Sequence, residues 1–67
     1  MPFIQITLWE GRSADQKAEI AKGITEVVSR VAGVAPNAVT IIFSDVKKSD
    51  WSIGGAMAST INKRSHD

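Results

Sequence analysis

Residues 2–9, Pro-Phe-Ile-Gln-Ile-Thr-Leu-Trp, and residues 39–44, Val-Thr-Ile-Ile-Phe-Ser, decide the fold between them. In the first stretch Ile4, Ile6 and Leu8 alternate with Phe3, Gln5, Thr7 and Trp9, the period of two that marks a β-strand. The second of these sets is not uniformly polar. Phe3 and Trp9 predict that this face of the strand also meets protein. In the later stretch Val39, Ile41 and Phe43 alternate with Thr40, Ile42 and Ser44, and the β-branched content again suits a strand.

Working outward, Gly11-Arg12 makes a short connection, and Ser13-Ala14-Asp15-Gln16 fits a capping box with Ser13 at the N-cap and Gln16 at N3. Asp15 suits the positive end of the helix that follows. Ala21, Ile24, Val27, Val28 and Val31 recur at helical spacing, with Lys17, Lys22, Glu26 and Arg30 assigned mostly to the other side. Glu26 and Arg30 make a favourable i,i+4 pair. Gly33 is a helix-ending residue and Pro36 blocks continuation. The pattern predicts a helix from about residue 14 to 32, roughly 28 Å long at 1.5 Å per residue. Strand, helix and strand with short connections make an α+β subunit of βαβ type, with parallel strands and a right-handed crossover. One sheet face takes the helix. The other carries enough apolar surface to require another copy of the chain.

Composition narrows the function classes. The chain has 67 residues, no Cys, one His, and 8 Lys+Arg against 7 Asp+Glu for a net charge of +1. It is read as one domain over residues 1–67. A chain this short buries only roughly 60% of its unfolded surface, so it needs a disulfide, a metal or a partner. Without Cys the first is impossible, and a lone His argues against structural zinc. Oligomerisation remains. Near-neutral charge excludes strong nucleic-acid steering, and no apolar run approaches the ~18–20 residues of a membrane span. The first residues lack the pattern of an export signal, so a cytoplasmic location is expected. Residues 45–67 read as loop-like, with Trp51-Ser52-Ile53-Gly54-Gly55 as a brief strand or hairpin lying on a neighbour, and residues 63–67, including His66, as a solvated tail.

Ordinary catalytic groups are scarce. Glu10, Asp45 and Asp50 fall at element ends and form no evident pair, and Gly54-Gly55 lacks the context of a phosphate loop. Met1 is followed by the small residue Pro2, so its removal would expose a secondary amine at the start of the first strand. Such an amine is a general base only when uncharged; an apolar site and a nearby cation both disfavour the ammonium form. While Met1 is retained, the Pro2 nitrogen is a tertiary amide and cannot take a proton. Read alone, Pro2 is also an ordinary strand-edge residue.

Taken together, Pro2-Phe3-Ile4-Gln5-Ile6, Glu10-Gly11-Arg12-Ser13-Ala14-Asp15-Gln16-Lys17 and Trp51-Ser52-Ile53-Gly54-Gly55 resemble the 4-oxalocrotonate tautomerase family, over nearly the whole chain from Pro2 to about Ile61. The resemblance implies a homo-oligomer, a hexamer built as a trimer of dimers, in which two βαβ units join into one four-stranded sheet. It implies enol–keto tautomerisation of a small unsaturated 2-hydroxy or 2-oxo acid, with no cofactor. Pro2 would be the general base, Arg12 would hold the substrate carboxylate through its planar fork of donors, and Trp51 would wall the pocket. The best-known members of the family carry a second arginine in the second strand, contributed by an adjacent subunit, where this chain has Thr40. A hydroxyl cannot replace that cation, so a smaller monocarboxylate, a weak general tautomerase activity, or a different subunit supplying the charge is expected. Two alternatives stand beside this reading: a cofactor-independent hydratase or dehalogenase of an unsaturated acid, which needs an acidic residue to activate water, and a non-catalytic assembly subunit.

Overall fold

The computed structural model describes residues 1–61. Strand β1 (Phe3–Trp9) leads into helix α1 (Ala14–Ala32), a 3₁₀ turn over Pro36–Ala38, and strand β2 (Thr40–Val46). A second 3₁₀ turn (Lys48–Asp50), a hairpin of β3 (Ser52–Ile53) and β4 (Ala56–Met57), and a short helix α2 (Ala58–Ile61) follow. Strands β1 and β2 pair in parallel from Phe3 opposite Thr40 to Trp9 opposite Val46. The expected βαβ unit is therefore present.

Local chemistry accounts for each boundary. The ladder of β1 opens at Phe3 because Pro2 has no N–H, yet the Pro2 carbonyl still accepts from the Thr40 N–H at 3.0 Å. At the head of α1 the Gln16 N–H donates to Ser13 Oγ at 3.1 Å, and the Ser13 N–H donates to Gln16 Oε1 at 2.9 Å. That reciprocal box satisfies two otherwise orphaned donors. The helix ends on Gly33 with φ 71°, whose N–H donates to the Ser29 carbonyl. A side chain there would meet backbone strain rather than a neighbour. Strand β2 runs two residues past Ser44, because Asp45 and Val46 find partners in Leu8 and Trp9 and the Glu10 N–H closes the ladder on the Val46 carbonyl.

The sheet has two unlike faces. Ile4, Ile6 and Leu8 of β1, with Ile41 and Phe43 of β2, are half-buried on the helix side. Lys17, Ala21, Ile24, Thr25, Val28 and Ser29 form the half-buried side of α1 at i, i+4, i+7, i+8 spacing. Lys17 was expected on the solvent side. It instead reaches Asp45 with Nζ 2.7 Å from Oδ2, because Asp45 shares the parity of Ile41 and Phe43 and so sits beneath the helix start. On the other face Phe3, Gln5, Thr7, Thr40 and Ile42 are exposed. Ile20, Val27 and Val31 add an exposed apolar stripe along α1, and Ile53 and Met57 extend the exposed apolar surface onto the hairpin. Among the described residues only Ala58 is fully buried, at 1% exposure. A subunit with so little interior has its apolar surface arranged for covering from outside.

The region after Asp45 is more ordered than its composition suggested. Gly54 and Gly55, with φ 62° and 89°, form the two-residue turn between β3 and β4, the conformation that a tight hairpin demands at both central positions. The Ala58 N–H then donates to the Trp51 carbonyl at 2.7 Å and folds α2 back onto the turn. The expected tail, with His66, lies outside the described residues. Among the described residues no helix is long and apolar enough to cross a membrane.

Candidate active site

Pro2 stands half-buried at the amino end of β1, held in register by the Thr40 hydrogen bond. Its nitrogen carries Met1, which is 97% exposed. Arg12 lies at the opposite end of the same strand, exposed between the close of β1 and the Ser13 cap. Seven steps of β-strand separate Pro2 from Trp9, about 23 Å at 3.3 Å per residue. The two residues therefore do not meet within one chain. Arg12 does share its end of the sheet with Trp51.

Trp51 is positioned by its backbone. Its N–H donates to the Lys48 carbonyl at 3.3 Å, closing the 3₁₀ turn, and its carbonyl accepts from Ala58. The indole packs edge-on against Trp9, with ring centroids 5.7 Å apart and an interplanar angle of 72°. The ammonium of Lys48 lies 4.9 Å from the centroid of the Trp9 ring. These contacts explain why Trp9 is half-buried although it falls on the open face with Phe3, Gln5 and Thr7. The Trp9 Nε1–H is enclosed with no hydrogen-bond partner, a cost of about 1–3 kcal/mol for a buried donor.

Trp9 and Lys48 were not singled out from the sequence. Parity along β1 had placed Trp9 on a protein-facing side, which was half of the signal. The other half is the i,i+3 spacing of Lys48 and Trp51, which a 3₁₀ turn brings onto one side, but nothing in the composition announces that turn. Asp45, one of the acids at element ends, is engaged with Lys17. Among the described residues of a single chain no cavity encloses Pro2, Arg12 or Trp51.

The comparisons with known proteins agree on one grouping. Residues 2–61 match the family model described as tautomerase enzyme. A probable tautomerase of Streptococcus thermophilus is 44% identical over 57 residues, spanning 85% of this chain and 93% of that protein. The fold is similar to a structure from work on the 4-oxalocrotonate tautomerase isozymes of Methylibium petroleiphilum, at TM-score 0.88 and 34% identity, covering 91% of this chain and 95% of the other. A heterohexamer 4-oxalocrotonate tautomerase from Chloroflexus aurantiacus gives TM-score 0.84 and 32% identity, covering 88% and 95%. With its parallel strand pair and these relatives, the chain belongs to the tautomerase family, in its 4-oxalocrotonate tautomerase group.

Proposed function

We propose that this protein is an isomerase of small unsaturated 2-hydroxy and 2-oxo acids, moving a proton between an enol oxygen or one carbon and another carbon. Membership of the family supports tautomerase activity in general; the substrate class and the residue roles are our reading. Pro2, freed by removal of Met1, is the base. It takes one proton from the enol or the carbon acid and returns it elsewhere on the same molecule, so the reaction is balanced without a co-reactant. Arg12 holds the carboxylate with a bidentate fork. Trp51 keeps water away from the amine, which favours its uncharged form.

The observation that carries this reading is the setting of Pro2: second in the chain, half-buried, and pinned at the sheet edge by its own carbonyl. Because β1 holds Arg12 at its far end, the full set of groups requires more than one copy of the chain. An oligomer of βαβ units, a hexamer built as a trimer of dimers, would supply that juxtaposition, and the apolar surface left on the open face and on α1 supports it. The relative from Chloroflexus is assembled as a heterohexamer, so an unlike partner chain belongs to the same class of arrangement. A hydratase or dehalogenase would need an acid to activate water. The ion pair of Asp45 with Lys17 weighs against that acid being Asp45.

Two measurements test the proposal. Mass spectrometry of the protein from its native host should find Pro2 at the amino terminus. Ketonisation of an enol acid should fall by about 10²–10⁴ in kcat for Pro2→Ala, the usual contribution of a positioned general base. For Arg12→Ala, KM should rise by roughly 10–100-fold, the size of a lost charge-assisted contact. Equal rates for wild type and Pro2→Ala would overturn the reading.

A further inference from the structure

The geometry points to Trp9 as a positioning residue of this site, whose ring fixes the orientation of the Trp51 indole. The inference rests on the assignment of Trp51 as the wall beside the amine, and it names what holds that wall. The chain leaves the sheet at Val46, which lies opposite Trp9 in the parallel ladder. The 3₁₀ turn over Lys48–Asp50 follows almost at once. From there the backbone hydrogen bonds close on the segment itself. The Asp50 N–H donates to the Lys47 carbonyl at 2.8 Å, the Trp51 N–H to the Lys48 carbonyl, and the Ala58 N–H to the Trp51 carbonyl. Strand β3 pairs with β4, and Ala58, the one fully buried residue among those described, belongs to the same segment. These bonds fix where the Trp51 backbone stands. They leave the two torsions of its side chain to be chosen by what the indole touches.

Trp9 supplies that contact from a rigid element. Its backbone is held in the ladder, and the Glu10 N–H donates to the Val46 carbonyl at 2.9 Å just beyond it. Trp51 meets the Trp9 ring edge-on, with centroids 5.7 Å apart and planes at 72°, a favourable T-shaped arrangement. The Lys48 ammonium, 4.9 Å from the centroid of the same ring, fastens the start of the turn to it. One ring therefore takes hold of the turn at both ends. Hydrogen bonding does not account for a tryptophan here, because its Nε1–H is enclosed without an acceptor. A donor left in that state costs stability rather than contributing it. What the position uses is aromatic surface, and a phenylalanine would offer that without the enclosed donor.

The chain has two tryptophans, so any variant at Trp9 leaves Trp51 as its sole indole. The test uses the full-length assembled protein with Trp9→Ala and Trp9→Phe. Trp51 emission should be shifted to the red and more readily quenched by acrylamide in Trp9→Ala than in Trp9→Phe. The kcat/KM for an enol acid should fall about fivefold in Trp9→Ala, the low end for losing an edge contact and a cation–π contact together, and should recover in Trp9→Phe. If Trp9→Ala does not assemble, Trp9→Leu, apolar but without a ring, takes its place in the same comparison. The fluorescence arm needs no turnover, so it decides the hold on Trp51 even if Pro2→Ala leaves ketonisation unchanged. Equal shielding of Trp51 in the two variants would overturn the inference, whatever their Tm. So would a Trp9→Phe protein as slow as Trp9→Ala with Trp51 still shielded, which is the result expected if the Trp9 indole itself meets the substrate. Lost shielding with kcat/KM unchanged would keep the hold on Trp51 and strike the assignment of Trp51 to the site.

Discussion

Replacing Phe3 with alanine should dissociate the assembly without touching any hydrogen bond of the subunit. Phe3 is 58% exposed on the open sheet face, two residue pairs along the ladder from Ile42, which is 45% exposed. A phenylalanine presents about 200 Å², so roughly 115 Å² remains to be covered, equivalent to about 3 kcal/mol at 25 cal/mol per Å². Alanine would retain roughly a third of that area, leaving a loss of about 2 kcal/mol per copy. In a two-fold symmetric contact the residue counts twice, so the dimer should weaken by about 4 kcal/mol, close to 10³-fold in Kd. Sedimentation velocity across a dilution series measures this directly. A parallel thermal scan should show a Tm that depends on protein concentration, because covering and folding are linked. Phe3→Leu, which keeps most of the area, should assemble nearly as well as wild type. If Phe3→Ala dissociates at the same concentration as wild type, or if the wild-type Tm is independent of concentration, the argument that this face is covered by another copy fails.

Other expectations follow from single contacts. Ser13→Ala removes the capping box at the start of α1 and should cost about 1 kcal/mol in denaturant titration; no loss would mean that the helix start is held by packing instead. A double-mutant cycle on Lys17→Met and Asp45→Asn should give a coupling of about 0.2–1 kcal/mol that shrinks in 1 M salt, as for other partly exposed ion pairs. Gly33→Ala should destabilise by about 1–2 kcal/mol, since φ 71° is a conformation alanine resists; an unchanged Tm would show that the helix end relaxes. Trp51→Leu should lose about 0.5–1.5 kcal/mol of aromatic contact and shift the emission of Trp9 to the red as its ring is uncovered.

The elements that could be read from the chain are those whose signals are local. The alternation of Ile4, Ile6 and Leu8, the Ser13 box and the Gly33 stop each involve a few consecutive residues, and β1 and α1 follow them closely. Strand β2 ran longer than its own pattern because Leu8 and Trp9 offered partners to Asp45 and Val46, a long-range term that no window on residues 39–46 contains. Lys17 turned inward for the same reason. Its charge argued for solvent, but an acid beneath the helix start outweighed that tendency. Of the candidate site, Pro2, Arg12 and Trp51 were legible as residue types in a pattern. What was not legible is their distribution over two ends of a sheet, and the association of Trp51 with Trp9 and Lys48 through a turn that has no compositional mark.

The length of β1 has a genetic consequence. If base and carboxylate holder for one substrate come from different molecules, lesions at Pro2 and at Arg12 are complementary rather than equivalent. Two impaired proteins, one Pro2→Ala and one Arg12→Ala, dissociated and reassembled together in equal amounts, should regain about a quarter of the intact sites by random subunit exchange, read as kcat/KM at low substrate. Two alleles that are each weak alone would then support one another in the same cell.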